Sequence, residues 1–171
     1  IMITPWSNMK DIYDNIDALM RLGNAGLDKY FSELILTPGT RAFEMVNQEN
    51  GVYIERVENR DRYSYPLPNS IENIRRIGRS MLEDPLYKPF LIRISSIYEK
   101  FDQLLVNGRS DVANRYRSLL DKMNLDIFLQ VTQEAELNLN VMNEVQVKKI
   151  IVAIIERFGP QIASVTNELG S

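Results

Sequence analysis

The stretch EVQVKKIIVAIIERF, residues 144–158, decides the fold class of this chain. Val147, Ile150, Ile151, Ile154, Ile155 and Phe158 recur at three- and four-residue spacing, so a helix through them carries one continuous apolar stripe. Val152 and Ala153 extend apolar character round the circumference. A helix built this way is expected at the centre of a bundle, or half covered by a partner chain. Gly159-Pro160 is expected to stop it, because proline lacks the N–H that the next turn needs.

The same periodicity recurs on its N-terminal side. Ile127, Phe128, Val131 and Ala135 mark a helix over 126–139, with a break near Asn138-Leu139-Asn140. Val112, Tyr116, Leu119, Leu120 and Met123 mark another, which Ser110 is expected to cap. Phe90, Ile94, Ile97, Phe101, Leu104 and Leu105 form a stripe that ends at Gly108, and Pro85 and Pro89 separate it from the preceding helix. In that preceding helix Ile71, Ile74, Gly78, Met81 and Leu82 are the expected buried face, and Asn69 with Glu72 resembles a capping box. No proline lies between Pro89 and Pro160.

Toward the N-terminus, Ile12, Ile16, Leu19 and Met20 predict a helix over 8–22 that Gly23 and Gly26 end or interrupt. A second is expected over 25–36, with Leu27, Tyr30, Phe31, Leu34 and Ile35 on one side. Thr37 followed by Pro38 reads as an N-cap and first helical residue, opening a third helix through Ala42, Met45 and Val46 to Asn50, where Gly51 supplies a left-handed cap. Residues 52–57 and 62–65 are instead rich in strand-favouring types, with polar residues between them. Pro66 and Pro68 close that stretch.

The expected fold is therefore mainly α: an irregular multi-helix bundle with a small β-hairpin or extended protrusion near residues 52–65. A chain of 171 residues with 44% hydrophobic and 25% charged residues is sized and composed for one globular domain over 1–171. It divides into N-terminal helices at 8–50, the hairpin or loop at 52–68 and a bundle core at 69–160. The longest apolar run is Ile150 to Ile155, against roughly 20 residues needed to span a bilayer, so no membrane span is expected. Ile1 to Trp6 lacks the basic-then-apolar layout of a secretory leader. Asparagine and isoleucine are both abundant, as in proteins of AT-rich phage, viral and low-GC bacterial genomes, so the expected setting is a cytoplasm, or a host cytoplasm or virion.

Catalytic chemistry has few carriers here. The chain has no Cys and no His, which removes thiolate nucleophiles, disulfides, the usual zinc ligands and the commonest neutral-pH base. Asp11, Asp14 and Asp17 turn progressively round their helix, and Lys10 and Arg21 stand four residues from Asp14 and Asp17, which suits solvated ion pairs. Glu134 and Glu136 point in different directions on a helix. No phosphate loop, nucleophile elbow or calcium-loop spacing occurs. The chain is expected to be no enzyme, with no cofactor and no metal.

What remains is recognition. Net charge is −3, but it is uneven: 7 basic and 10 acidic side chains over residues 1–69, 10 and 7 over 70–122, and 3 and 6 over 123–171. Arg75, Arg76 and Arg79 lie away from Ile71 and Ile74 on their helix, a group able to meet phosphates or acidic partner residues. Lys88, Arg93, Arg109, Arg115 and Arg117 could widen it, while Glu72 and Glu83 stand at the spacing to pair with Arg76 and Arg79. Tyr53, Tyr63 and Tyr65 alternate with Arg56, Arg60 and Arg62 in the expected protrusion, and Tyr and Arg are enriched at interaction hot spots. Their bland alternative is to seal the bundle, and Trp6 reads as an anchor for the N-terminus. The expected function is protein–protein interaction or self-association in a structural or assembly component, viral or phage among the candidates. The alternative is a regulatory or packaging protein that touches nucleic acid through the basic helix face, which the acidic pI of 5.1 disfavours.

Overall fold

A computed structural model describes residues 1–22, 31–49, 51–57 and 60–170, with the side chains of residues 56, 57, 60 and 170 outside the description. The elements in chain order are β1 (Met2–Ile3), α1 (Met9–Leu22), β2 (Ser32–Glu33), α2 (Arg41–Glu49), β3 (Tyr53–Val57), β4 (Arg60–Ser64), α3 (Asn69–Glu83), α4 (Tyr87–Val106), α5 (Ser110–Leu137) and α6 (Glu144–Gly170). The protein is mainly α, with two small strand pairs.

One apolar core runs through α1, α3, α4, α5 and α6, filled by side chains such as Ile12, Ile74, Ile97, Phe101, Phe128, Ile154 and Phe158. α5 is its hub, packing against α1, α3, α4 and α6. The stripes read from α4 and α6 are the buried ones: Phe90, Ile94, Ile97 and Phe101 on the first, Val147, Ile150, Ile151 and Ile154 on the second. Ala153 and Val145 stand in solvent, so α6 is covered on one side and not all round.

Two helices are longer than the sequence suggested. The expected helices on either side of residue 124 are a single one, α5, because Tyr116, Leu120, Met123, Ile127 and Val131 keep one stripe past Asn124 and Asp126. No side-chain hydrogen bond from Ser110 caps it. α6 does not stop at Gly159-Pro160 but continues to Gly170. Pro160 deprives the Glu156 carbonyl of a donor, yet both residues are exposed and water can serve that oxygen. Beyond it Ile162 and Val165 are buried, each burial contributing about 1.5–3 kcal/mol, enough together to offset a proline cost of about 3 kcal/mol. Pro89 likewise sits inside the first turn of α4, where its missing N–H has no intrahelical partner to lose.

Helix starts are capped by side chains the sequence reading passed over. Asn8 and Asp11 exchange reciprocal bonds at α1 (Asn8 N to Asp11 Oδ2 3.2 Å, Asp11 N to Asn8 Oδ1 3.1 Å). Asn143 and Gln146 do the same at α6, both at 3.0 Å. At α3 the expected box is not made: Asn69 donates to the Leu139 carbonyl and Glu72 turns to arginines.

The N-terminal third departs most from expectation. Of the helix expected over 25–36, residues 25–30 lie outside the described residues, as do Gly23 and Gly26 at the end of the first helix. Residues 31–36 are not helical, and within them β2 pairs parallel with β1, Met2 opposite Ser32. Phe31 and Leu36 are buried while Ile35 is exposed, and a short apolar run admits strand as readily as helix. Gly78 is why that strand can lie on α3: a Cβ there would meet the Phe31 Cβ at 3.2 Å. α2 opens three residues later than expected, with Thr40 as the cap, its hydroxyl accepting from Phe43 N at 3.3 Å. Gly51 does adopt positive φ, +75°. The hairpin is present as β3 and β4, antiparallel, with Tyr53 opposite Ser64 and Val57 opposite Arg60; residues 58–59 between them lie outside the described residues. Leu36, Val46 and Tyr65 form a small second core under it, with Phe43 and Tyr63 at its edge. Among the described residues no helix is long and apolar enough to cross a membrane.

Candidate interaction surfaces

α3 is buried on nearly its whole circumference, including Glu72, Asn73 and Arg75. The side opposite Ile71 and Ile74 would face solvent on an isolated helix, but here β2 and the hairpin reach it. Of the three arginines that the sequence suggested as an open cationic face, Arg75 is buried, Arg79 half-buried and Arg76 exposed, and each is engaged by a carboxylate. Arg79 grips Glu33 with two bonds (Nε to Oε1 2.5 Å, Nη2 to Oε2 2.8 Å) and Glu55 with Nη1, at 3.2 and 3.1 Å from its two oxygens. Arg75 pairs with Glu72 at 2.5 Å and its Nη2 donates to the Tyr53 hydroxyl at 3.4 Å, while its Nε and Nη1 have no partner among the described residues. Arg76 holds Glu72 at 2.9 Å and donates to the Met142 carbonyl at 3.2 Å.

The hairpin joins this network. Arg62 donates to Glu33 at 2.9 Å, and the Ser64 hydroxyl donates to Glu55 at 2.8 Å. The Glu55 carboxyl is held below its ordinary value: burial alone would raise it, and the bonds from Ser64 and Arg79 outweigh that. Tyr65 is 1% exposed and its hydroxyl donates to the Ile3 carbonyl at 3.0 Å; burial pushes the phenol up to about 12. Tyr63 stacks edge-on against Phe43 with centroids 5.3 Å apart. Of the tyrosines in the expected protrusion, Tyr53 is the exposed one. Arg56 and Arg60 are placed on the strands opposite Asp61 and Val57, and their side chains lie outside the description. The structure thus brings Tyr53, Arg62, Arg75 and Arg79 together, as a seam joining α3 to the hairpin. Trp6 is half exposed and donates to Glu49 at 2.7 Å, an N-terminal anchor as expected. Lys10–Asp14 and Arg21–Asp17 are exposed ion pairs on α1, also as expected.

A surface the sequence did not single out lies at the turn from α5 to α6. Asn73, wholly buried, spreads its amide over four backbone groups: Nδ2 lies 3.4, 3.3 and 3.0 Å from the carbonyls of Ala135, Asn138 and Asn140, and Oδ1 accepts from Met142 N at 2.7 Å. Asn69 adds a bond to the Leu139 carbonyl at 2.8 Å. With the backbone tied inward and the Met142 side chain buried, Leu137, Leu139 and Val145 are left 78%, 86% and 65% exposed, and Val141 lies between them. The signal was present in the sequence as Leu-Asn-Leu-Asn-Val over 137–141, an alternation that periodicity for helices passes over.

No protein-family model matches the sequence, and neither curated proteins nor solved structures give a match.

Proposed function

We propose that the protein is a non-catalytic assembly component that works by protein–protein contact, with the α5–α6 turn as the contact face and a second copy of the chain as its occupant. The carrying observation is that Leu137, Leu139 and Val145 stand in solvent on a backbone already tied down by Asn73 and Asn69. Exposed apolar side chains on a mobile loop lose much of their binding energy to ordering. On a backbone held in place by side-chain hydrogen bonds most of that cost is met in folding. An apolar patch is also self-complementary across a two-fold axis, which makes a second copy the simplest partner. The lack of His and Cys, and the engagement of Glu33, Glu55 and Glu72 by arginines, support a role without chemistry. The same pairing weighs against phosphate recognition by Arg75, Arg76 and Arg79, since a phosphate would have to displace carboxylates already in place.

Sedimentation equilibrium over a range of concentrations tests this. The expected mass rises from 19.8 kDa toward twice that value, and Leu139→Asp with Val145→Asp holds it at the monomer while the helical circular dichroism is unchanged. A wild-type chain that stays monomeric throughout, or a double variant that associates as well as wild type, rejects the reading.

A further inference from the structure

A second group of cations lies at the other end of α5. Two adjoining surface cavities, about 560 and 270 Å³, meet where α4, α5 and α6 come together, and both are lined by Arg115, Tyr116 and Glu168. The larger extends along α5 to Lys122, with Leu119 in its wall; the smaller reaches Arg109, with Leu104 and Val112 in its wall. At their junction Arg115 lies over the Tyr116 ring, 4.7 Å from its centroid, and donates to its hydroxyl at 2.8 Å, while that hydroxyl donates to Glu168. The arrangement is a trough with apolar walls, a carboxylate-occupied centre and a cation at each end. Arg109 and Lys122 are exposed, and neither makes a side-chain ion pair or hydrogen bond among the described residues.

We infer that this trough binds an acidic peptide segment in which carboxylates flank an apolar side chain. Among the described residues that line it, three cations stand against one carboxylate, which gives the trough local positive charge in a chain whose net charge is −3, and that complementarity selects an anion. Spacing narrows the choice. Arg115 and Lys122 are seven residues apart on one helix, about 10 Å along its axis, and an extended peptide turns every second side chain to the same side, so two acids four residues and about 13 Å apart, with an apolar residue midway, come within reach of these two long side chains. The apolar walls then take the middle side chain. Single-stranded nucleic acid fits less well: Tyr116 is buried beneath Arg115, which leaves no open aromatic face for a base, and the row of cations is short for a phosphate ladder. Glu168 already shows a carboxylate accommodated beside Arg115 and Tyr116. This trough is separate from the α5–α6 turn, so peptide binding and self-association can fail independently.

Fluorescence anisotropy with a labelled peptide carrying Asp-Ser-Leu-Ser-Asp between Gly-Ser flanks tests the inference on the full chain. Saturable binding is expected that weakens with salt, and Arg109→Glu with Lys122→Glu is expected to lower affinity about tenfold or more. Both residues are exposed, and unchanged circular dichroism confirms that the variant is folded. The corresponding Lys-Ser-Leu-Ser-Lys peptide is expected not to bind. The Leu139→Asp, Val145→Asp variant is expected to bind the acidic peptide as wild type does. No saturation up to about 1 mM, or equal affinity in the charge-reversed variant, overturns the inference. So does tighter binding of a labelled oligothymidylate that is lost in the same variant, which would assign the trough to nucleic acid.

Discussion

Arg75, Arg76 and Arg79 on α3 and Arg109, Arg115 and Lys122 at the start of α5 look alike in the sequence: basic residues on helices with an apolar stripe. In the molecule they are opposites. In the first group Arg75 and Arg79 are folded into the body, with Arg75 4% exposed and both Glu33 and Glu72 largely shielded from water, and Arg76 at the surface is held by Glu72. The second stands at the rim, where Glu168 is the one carboxylate among the described residues lining the cavities. A helix presents a free charged face only where no other element crosses it. β2 and the hairpin cross α3, whereas the outer side of α5 near its start is left open.

Removing one partner from each group should separate them most sharply. Glu72→Ala strands the Arg75 guanidinium in the interior, where two of its nitrogens already lack partners among the described residues, and a loss of about 3–5 kcal/mol in urea unfolding is expected. Lys122→Ala should change stability by no more than about 0.5 kcal/mol. Equal effects at the two sites would erase the distinction.

Asn73 sharpens it on the same helix without any charge. Asn73→Ala leaves several buried backbone groups at 135–142 unpaired, at a cost of about 3 kcal/mol, and hydrogen exchange at the Met142 amide should accelerate. Full protection of that amide in the variant would show that the turn holds itself.

The smallest expected effect is a pH dependence. Glu55 titrates below its ordinary 4.5 when folded, so its contribution is complete above that value and is lost as pH falls through the lower folded one. Wild type should therefore lose stability more steeply than Glu55→Gln as the solution is acidified below about pH 4.5. Parallel pH profiles would place Glu55 outside the network that holds the hairpin.

Much of the bundle was legible because an apolar stripe is a local signal. The faces of α4 and α6 were correctly read from Phe90 to Phe101 and from Val147 to Phe158, and the hairpin from its strand-favouring residues. Errors arose where a local punctuation mark met a longer-range gain. Pro160 reads as a stop, yet Ile162 and Val165 continue the stripe and their burial carries the helix through. Phe31 to Leu36 reads as helix, yet Gly78 opens a place on α3 for an extended segment.

The partners of charged side chains were illegible for a different reason. Glu83 stood at the right spacing for Arg79, but the carboxylates it meets are Glu33 and Glu55, 46 and 24 residues away along the chain. Periodicity, capping and composition act within a turn or two of helix, and from them the residues themselves settled which stretches coil and which sides turn inward. Which arginines lie inside, which stay at the rim and what the α5–α6 turn presents were decided only when distant segments packed, because burial and ion pairing depend on what crosses a helix, and no helix specifies that alone.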